Sequence, residues 1–357
     1  MNKEANEKKI LISGFYGFGN AGDEAVLEGL LKSLKLSKAE DITILTSNLQ
    51  YTKKHHKNIK CVPRYSKEAI KALFNCNIFL SGGGSLLQNV TSNKSLYYYL
   101  FMLDLANFLG KKTVIYAQGI GPISGNIHLK KAVNSIKKCD IISVRDKDSQ
   151  DLLVSNGISE EKIFLTSDPA FWASKNTEKA AYILEKYNLN NRNFITIALR
   201  NYKGNSWLKN LEKSIEIIYN NLNIPIIALP FLLKEDKDIC KGMEKITTIT
   251  EEIDWKTIKG IISKSDMIIG QRLHSLIFAA SENIPFVTLS YDPKNTSFAK
   301  SYKQKTIFQI DDFVPEDLAQ YVIETYNNKK EISVEYAEFS KNNEKTINKI
   351  CEDIMKL

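Results

Sequence analysis

The chain has 357 residues, 43% hydrophobic and 25% charged, a balance that excludes wholesale disorder. That length is more than twice a usual domain, so two compact units of roughly 150 residues each are expected. The net charge of +8 comes from lysines spread along the sequence, not from one block, and gives no nucleic-acid footprint.

Five cysteines, Cys61, Cys76, Cys139, Cys240 and Cys351, are odd in number, widely spaced and never paired as C-x-x-C. They suggest neither a disulfide frame nor a zinc site, and a reducing compartment fits. Residues 1–9 are polar, and the apolar stretch after them is too short for a signal peptide. The longest apolar run, 224–233, holds two prolines and falls far short of a membrane span, so a cytosolic protein is expected.

Taken in chain order, short β-rich runs alternate with longer helical patterns, the signature of parallel sheets built from βαβ units. Strands are predicted over 9–13, 42–46, 60–62, 78–81, 112–117 and 141–145. A helix from about Gly22 to Leu36 carries Ala25, Val26, Leu27, Leu30, Leu31 and Leu34 on one face at the 3.6 period. Between the second and third strands, Lys53-Lys54-His55-His56-Lys57, with Lys60 and Arg64 behind, could face an anionic lipid or a polyanionic substrate. A solvated helix face is the simpler reading.

Ser167-Asp168-Pro169 interrupts the pattern, because proline denies its predecessor helical geometry, and the first domain is drawn as 1–170. The alternation then restarts with strands over 194–199, 224–229, 267–270 and 286–290 and helices such as 206–221 and 273–282, giving a second domain over 171–314. Residues 315–357 read as two helices, 315–327 and about 334–356, and packing back on the first domain is one expectation for them. The fold class is α/β, two Rossmann-like domains facing across a cleft. Ligands of such sheets bind outside the carboxyl ends of the strands, so the working site is expected between the domains, at strand-to-helix turns.

The first of these turns, Gly17-Phe18-Gly19-Asn20-Ala21-Gly22, matches the dinucleotide fingerprint G-x-G-x-x-G. Three residues separate it from its strand, and the nearest acid, Asp41, precedes the second strand, which weakens that reading. Glycine still permits close backbone approach, and the helix start offers free N–H groups. Asp23 and Glu24 in the first turn would repel a phosphate and suit a sugar, although a tight structural turn with capping acids reads the same way. Gly82-Gly83-Gly84-Ser85 follows the fourth strand, and three glycines in a row point to a ligand or to a close backbone contact. Gln118 opens the next turn, Gln118-Gly119-Ile120-Gly121-Pro122. Arg145 ends a strand beside Asp146, where a salt bridge competes with anion binding.

In the second half, Gly270-Gln271-Arg272-Leu273-His274 turns a buried strand into a helix. Arg272 supplies a planar fork for phosphate or carboxylate, the helix start adds to the attraction, and His274 can move a proton near neutral pH. Arg200, at the end of a neighbouring strand, and Lys294, in Ser290-Tyr291-Asp292-Pro293-Lys294, make the rim cationic.

Six motifs in order over residues 9 to about 300 resemble the polysaccharide pyruvyltransferase family, bacterial CsaB type. They are Gly17 to Ala25, Ser81 to Gln88, Gln118 to Pro122, Ser143 to Asp146, Ser167 to Phe171 and Gly270 to Ser275. The resemblance implies a glycosyltransferase-B-like fold, no metal or other cofactor, and phosphoenolpyruvate as donor. The acceptor it implies is an N-acetylmannosamine residue on a lipid-diphosphate-linked precursor of secondary cell-wall polysaccharide, whose pyruvate ketal later anchors surface-layer proteins. It assigns Arg272 and His274 to catalysis at the donor, with Lys294 and, more weakly, Arg145 binding it; Arg200 joins them as a substrate-binding candidate by its position on the same rim. The acceptor side falls to Gly19, Asn20, Asp23, Gly82, Gly83, Gly84, Ser85 and Gln118. A cytoplasmic enzyme touching the inner face of the membrane, with no nucleic-acid partner, is the corresponding expectation. A nucleotide-sugar glycosyltransferase of the same fold, an NAD-linked oxidoreductase and a non-catalytic sugar-binding module are the rival readings.

Overall fold

The structure is a computed structural model that describes residues 8–90 and 92–357, so most of the polar opening, residues 1–7, lies outside the described residues. The chain divides into two compact units, Met1–Ala173 with Asn343–Leu357, and Ser174–Asn342.

Unit 1 contains β1 (Ile10–Ser13), β2 (Ile42–Thr46), β3 (Lys60–Pro63), β4 (Ile78–Ser81), β5 (Lys112–Gln118), β6 (Ile141–Val144) and β7 (Ile163–Leu165). They form one parallel sheet in the order β3-β2-β1-β4-β5-β6-β7. Helices α1 (Ala21–Leu36), α2 (Leu49–His55), α3 (Lys67–Asn75), α4 (Asn93–Phe108), α5 (Asn126–Ile136) and α6 (Lys147–Ser155) connect them. The sheet order reverses direction at β1 and β4, which opens a crevice at the carboxyl ends of that pair.

Unit 2 repeats the plan with β8 (Ile195–Ala198), β9 (Ile226–Ala228), β10 (Ile246–Thr248), β11 (Met267–Gly270), β12 (Phe286–Ser290) and β13 (Phe308–Gln309), ordered β10-β9-β8-β11-β12-β13. Its helices are α7 (Thr177–Lys186), α8 (Leu208–Leu222), α9 (Leu233–Asp236), α10 (Trp255–Ile262), α11 (Leu273–Ser281), α12 (Pro293–Ser301) and α13 (Pro315–Asn327). Here the reversal falls between β8 and β11.

The expected central strands stand within a residue or two of their predicted limits. Three strands were not anticipated: β7, β10 and β13 are two or three residues long, and each lies at a sheet edge. Such strands are too short to show a period, and β7 leaves Phe164 and Leu165 exposed.

The C-terminal segment does not act as one piece. Helix α13 places Leu318, Ala319 and Val322 in the core of unit 2 beside α8. The following helix, α14 (Lys329–Lys356), ends in unit 1, where Ile347, Ile350, Cys351 and Ile354 are at most 2% exposed and join β1, β2 and α1 in one core. Their spacing of three, four and seven is one face of a helix. Each buried isoleucine contributes on the order of 1.5–3 kcal/mol.

Helix α1 is set by the same local logic. Asn20 caps it by accepting from the Gly22 N–H, acids fill its first turn, and its apolar stripe faces the sheet. Gly29 sits inside this helix where the 3-10 turn Pro169–Trp172 crosses it, and a Cβ there would lie 1.8 Å from the Pro169 carbonyl oxygen. Alanine in a helix interior is ordinarily favourable by up to about 1 kcal/mol over glycine. Here the backbone contact reverses the sign. Gly29→Ala is expected to lower stability by about 2 kcal/mol through overpacking, and the thermal unfolding midpoint by several degrees. An unchanged or higher midpoint would contradict this contact.

Candidate functional site

In unit 1 the expected acceptor residues gather at the carboxyl ends of three adjacent strands: Gly19, Asn20 and Asp23 after β1, Gly82 to Ser85 after β4, and Gln118 at the end of β5. The fingerprint loop does not present its N–H groups outward. Glu24 turns inward, is fully buried, and its Oε1 accepts from Gly17 N at 2.8 Å and Gly19 N at 3.3 Å. A carboxylate thus occupies the place a phosphate would take, and the dinucleotide reading of this loop falls. Burial pushes the Glu24 carboxyl up to about 7, against the lowering effect of the backbone N–H groups.

The glycine triplet has a packing cause. A Cβ on Gly82 would lie 2.2 Å from the Tyr16 hydroxyl, and one on Gly83 would lie 2.8 Å from Val26. Gly84, at φ +90°, faces Asp23, whereas Gly19, at φ +73°, has open space before it. Tyr16 is buried, and burial followed by the nearby Asp23 carboxylate holds its phenol well above the usual value. Gln118 donates from Nε2 to Ser81 O and Oγ, at 3.0 and 2.7 Å. Three oxygens, Tyr16 Oη, Glu24 Oε2 and Gln118 Oε1, are buried there without a hydrogen-bond partner.

Arg145 differs from expectation. Its side chain is 5% exposed and donates to Asp168 Oδ2 at 2.5 Å and to Ser85 Oγ at 2.9 Å, with Asp146 at 3.6 Å. Burial works against its charge, and Asp168 and Asp146 more than offset it, so the guanidinium stays protonated. A fork engaged by the protein in this way has little left for a donor anion. Its role is to position Ser85 and the Asp168 turn, where Asp168 Oδ1 accepts from Ala170 N.

In unit 2 the expected donor residues lie on the neighbouring strands β8, β11 and β12. Gly270 pairs with Ala198, and Gln271 N donates to the Ala198 carbonyl, so the ends of β8 and β11 are in register. Gln271 Oε1 accepts from Arg200 N at 2.8 Å, and the Gln271 carbonyl accepts from Asn295 Nδ2 at 2.6 Å. Arg200 donates to the Tyr291 hydroxyl at 2.9 Å and lies over its ring. Arg272 is the N-cap of α11, with His274 in its first turn, and Lys294 lies in the first turn of α12, where its N–H is capped by Asp292.

Asp236 completes this rim and was missed in the sequence, where Lys234-Glu235-Asp236-Lys237-Asp238 reads as a solvated charge run. Its side chain is 1% exposed, and Oδ1 accepts from Arg272 Nη2 at 2.5 Å. Oδ2 is held by the N–H groups of Phe231 and Leu232. Only one end of the Arg272 fork is used. Arg200 Nε, Gln271 Nε2 and Arg272 Nε are buried donors without an acceptor, all at the carboxyl ends of β8 and β11. Each such orphan costs on the order of 1–3 kcal/mol, which an anion with several oxygens would recover.

These features define an α/β protein of the glycosyltransferase-B-like class, with two Rossmann-like sheets and a cationic rim on the second. The polysaccharide pyruvyl transferase family model matches residues 20–293, and the chain belongs to that family. Among solved structures it is similar to S. aureus MnaA in complex with UDP, at 14% identity over 93% of this chain and 91% of that one, TM-score 0.66. A putative UDP-N-acetylglucosamine 2-epimerase from Listeria monocytogenes matches at 13% over 96% and 95%, TM-score 0.67. Anabaena Alr3699/HepE with UDP and glucose matches at 11% over 98% and 100%, TM-score 0.65. At such identities these likenesses show the fold. No curated protein matches the chain significantly. Among the described residues, no helix is long and apolar enough to cross a membrane.

The buried Glu24 yields a pH prediction. Its folded value, about 7, lies above its ordinary 4.5, so the folded state holds the proton more tightly. Stability from this group is then present below about pH 4.5 and is lost as pH rises towards 7, a loss on the order of 3 kcal/mol. Glu24→Gln keeps an oxygen for the Gly17 and Gly19 N–H groups and cannot ionise. The difference in urea-unfolding free energy between variant and parent should therefore grow in the variant's favour from pH 5 to pH 8. A pH-independent difference would show that Glu24 does not titrate in this range.

Proposed function

We propose that this chain transfers a pyruvyl group from phosphoenolpyruvate onto an N-acetylmannosamine residue of a lipid-diphosphate-linked cell-wall polysaccharide precursor, forming a ketal and releasing phosphate. Family membership supports pyruvyl transfer. The observation that carries the choice of donor is the group of orphaned donors on Arg200, Gln271 and Arg272, beside His274 and Lys294. Phosphoenolpyruvate carries a phosphate and a carboxylate, and two guanidinium groups with N–H donors to spare match that pair. The part of the unit 1 rim around Tyr16, Glu24 and Gln118 is the reverse, with orphaned oxygens and a buried acid, and suits a ligand rich in hydroxyls.

In the proposed reaction, a proton is added to C3 of the donor and a sugar hydroxyl forms a bond to C2, giving up its proton. The C2–O bond to phosphate then breaks, its electron pair leaving with phosphate. A second hydroxyl adds at C2 and releases its proton, which closes the ketal. His274 serves as the acid or base for these transfers, and Arg272 stabilises the phosphate as it leaves. Asp236 positions Arg272, and no step calls for a metal. The cell-wall role, surface-layer anchoring, a cytoplasmic location and contact with the inner membrane face belong to the same reading.

The test mixes the protein, phosphoenolpyruvate and a diphosphate-linked disaccharide containing N-acetylmannosamine, and follows inorganic phosphate and the mass of the acceptor. His274→Ala and Arg272→Ala are each expected to lower kcat or donor affinity by at least about tenfold. Turnover near the parent level in both would sink the assignment. Tight UDP binding with no response to phosphoenolpyruvate would favour a nucleotide-sugar glycosyltransferase instead.

A further inference from the structure

Arg64 stands out among the arginines of unit 1. It follows β3, and its N–H donates to the Thr46 carbonyl at the end of β2, so it sits on the carboxyl edge two strands away from the Gly17 to Gly22 loop. Its carbonyl accepts from the Tyr98 hydroxyl at 3.1 Å. The residue is only 5% exposed. Its guanidinium carbon lies 4.5 Å from the ring centre of Tyr98, 4.8 Å from Tyr65, 5.2 Å from Tyr99 and 5.7 Å from Phe18. Among the described residues no carboxylate pairs with it, and Nε is buried without an acceptor.

Ring faces attract the charge but leave Nε without an acceptor, and a buried cation lacking an anionic partner is costly. The surroundings also have a ligand-facing side. Tyr65 is 73% exposed and Phe18 44% exposed, and Phe18 stands between Gly17 and Gly19 in the loop beside the crevice. We propose that Arg64 is an anion site on the acceptor side, where its guanidinium takes a phosphoryl group of the diphosphate-linked acceptor while Phe18 and Tyr65 offer ring faces to the adjoining sugar. The proposal rests on the acceptor chemistry of the proposed function. It also accounts for the inward Glu24: the fingerprint loop holds no phosphate, and the cation for one lies two strands further along the edge.

The experiment compares two acceptors with the full chain: the diphosphate-linked disaccharide and the same disaccharide as a methyl glycoside. In Arg64→Gln the ratio of kcat/KM for the diphosphate acceptor to that for the methyl glycoside should fall about tenfold, the scale of one lost charge-assisted contact. Arg64→Lys, which keeps the charge without the fork, should fall between the two proteins and covers the case in which the glutamine variant does not fold. An unchanged ratio in the folded variants overturns the proposal, and so does a raised KM for phosphoenolpyruvate, which would assign the cation to the donor. Calorimetric titration of the diphosphate disaccharide, without donor, separates this site from the reaction. Binding that weakens in Arg64→Gln supports the anion site even if the parent transfers nothing from phosphoenolpyruvate, and binding equal to the parent's rejects it.

Discussion

A guanidinium withdrawn from water is costly unless an anion that is itself held still matches it, and at Arg145 and Arg272 this requirement shapes the carboxyl edges of both sheets. In each unit the match is an aspartate with two tasks. Asp168 gives one oxygen to Arg145 and the other to Ala170 N; Asp236 gives one to Arg272 and the other to the N–H groups of Phe231 and Leu232. Fixing the carboxylate through the backbone removes its freedom, so the arginine opposite is fixed too. The same device has different results. Arg145 has both terminal nitrogens engaged and works as a staple, whereas Arg272 keeps Nε without a partner and can act on something the protein does not supply.

The two rims also differ in the sign of what they leave unsatisfied. Around the turns after β8 and β11 in unit 2, Arg200 Nε, Gln271 Nε2 and Arg272 Nε are buried without acceptors, whereas around the turns after β1 and β5 in unit 1, Tyr16 Oη, Glu24 Oε2 and Gln118 Oε1 are buried without partners; Arg64 Nε, after β3, is the unit 1 counterpart of the first set. Buried polar groups are rarely left unpaired, because each costs free energy comparable with a whole hydrogen bond. Such a concentration at the strand ends of both sheets is the observation on which the proposed donor and acceptor sides rest. Glu24 reinforces the division. By filling the Gly17 and Gly19 N–H groups with its own carboxylate, it removes the one feature of unit 1 that resembled a phosphate cradle.

Much of this was legible in the sequence. Strand-to-helix turns in parallel sheets carry glycine, asparagine and charged residues at points where an apolar run stops, so Arg272, His274, Gly19 and Gln118 could be picked out by position alone. The central strands were legible because they are buried on both faces and read as continuous apolar runs. What escaped were the long-range pairings. Nothing local distinguishes Asp236 from Glu235 beside it, yet one is 1% exposed under Arg272 and the other 59% exposed. Arg64 read as part of a lysine-rich surface, and its burial depends on Tyr98 and Tyr99, which arrive from α4. Arg145 appeared to pair with its neighbour Asp146, whereas its strong partner lies 23 residues on.

The glycines show how a sequence signal can be right about place and incomplete about cause. Three in a row after β4 suggested a ligand or a close contact, and the contact proves to be with the protein's own side chains. Gly14 and Gly82 leave room for the Tyr16 ring, and a Cβ on Gly119 would lie 3.0 Å from the Arg145 guanidinium and the Ser85 hydroxyl. A methyl group at any of these would press on a residue that forms the rim, so these glycines shape the rim through their neighbours. Gly19 is the contrasting case. Its positive φ excludes most side chains, while the space beyond it is open, so its glycine is called for by the backbone of the turn and not by a packed neighbour.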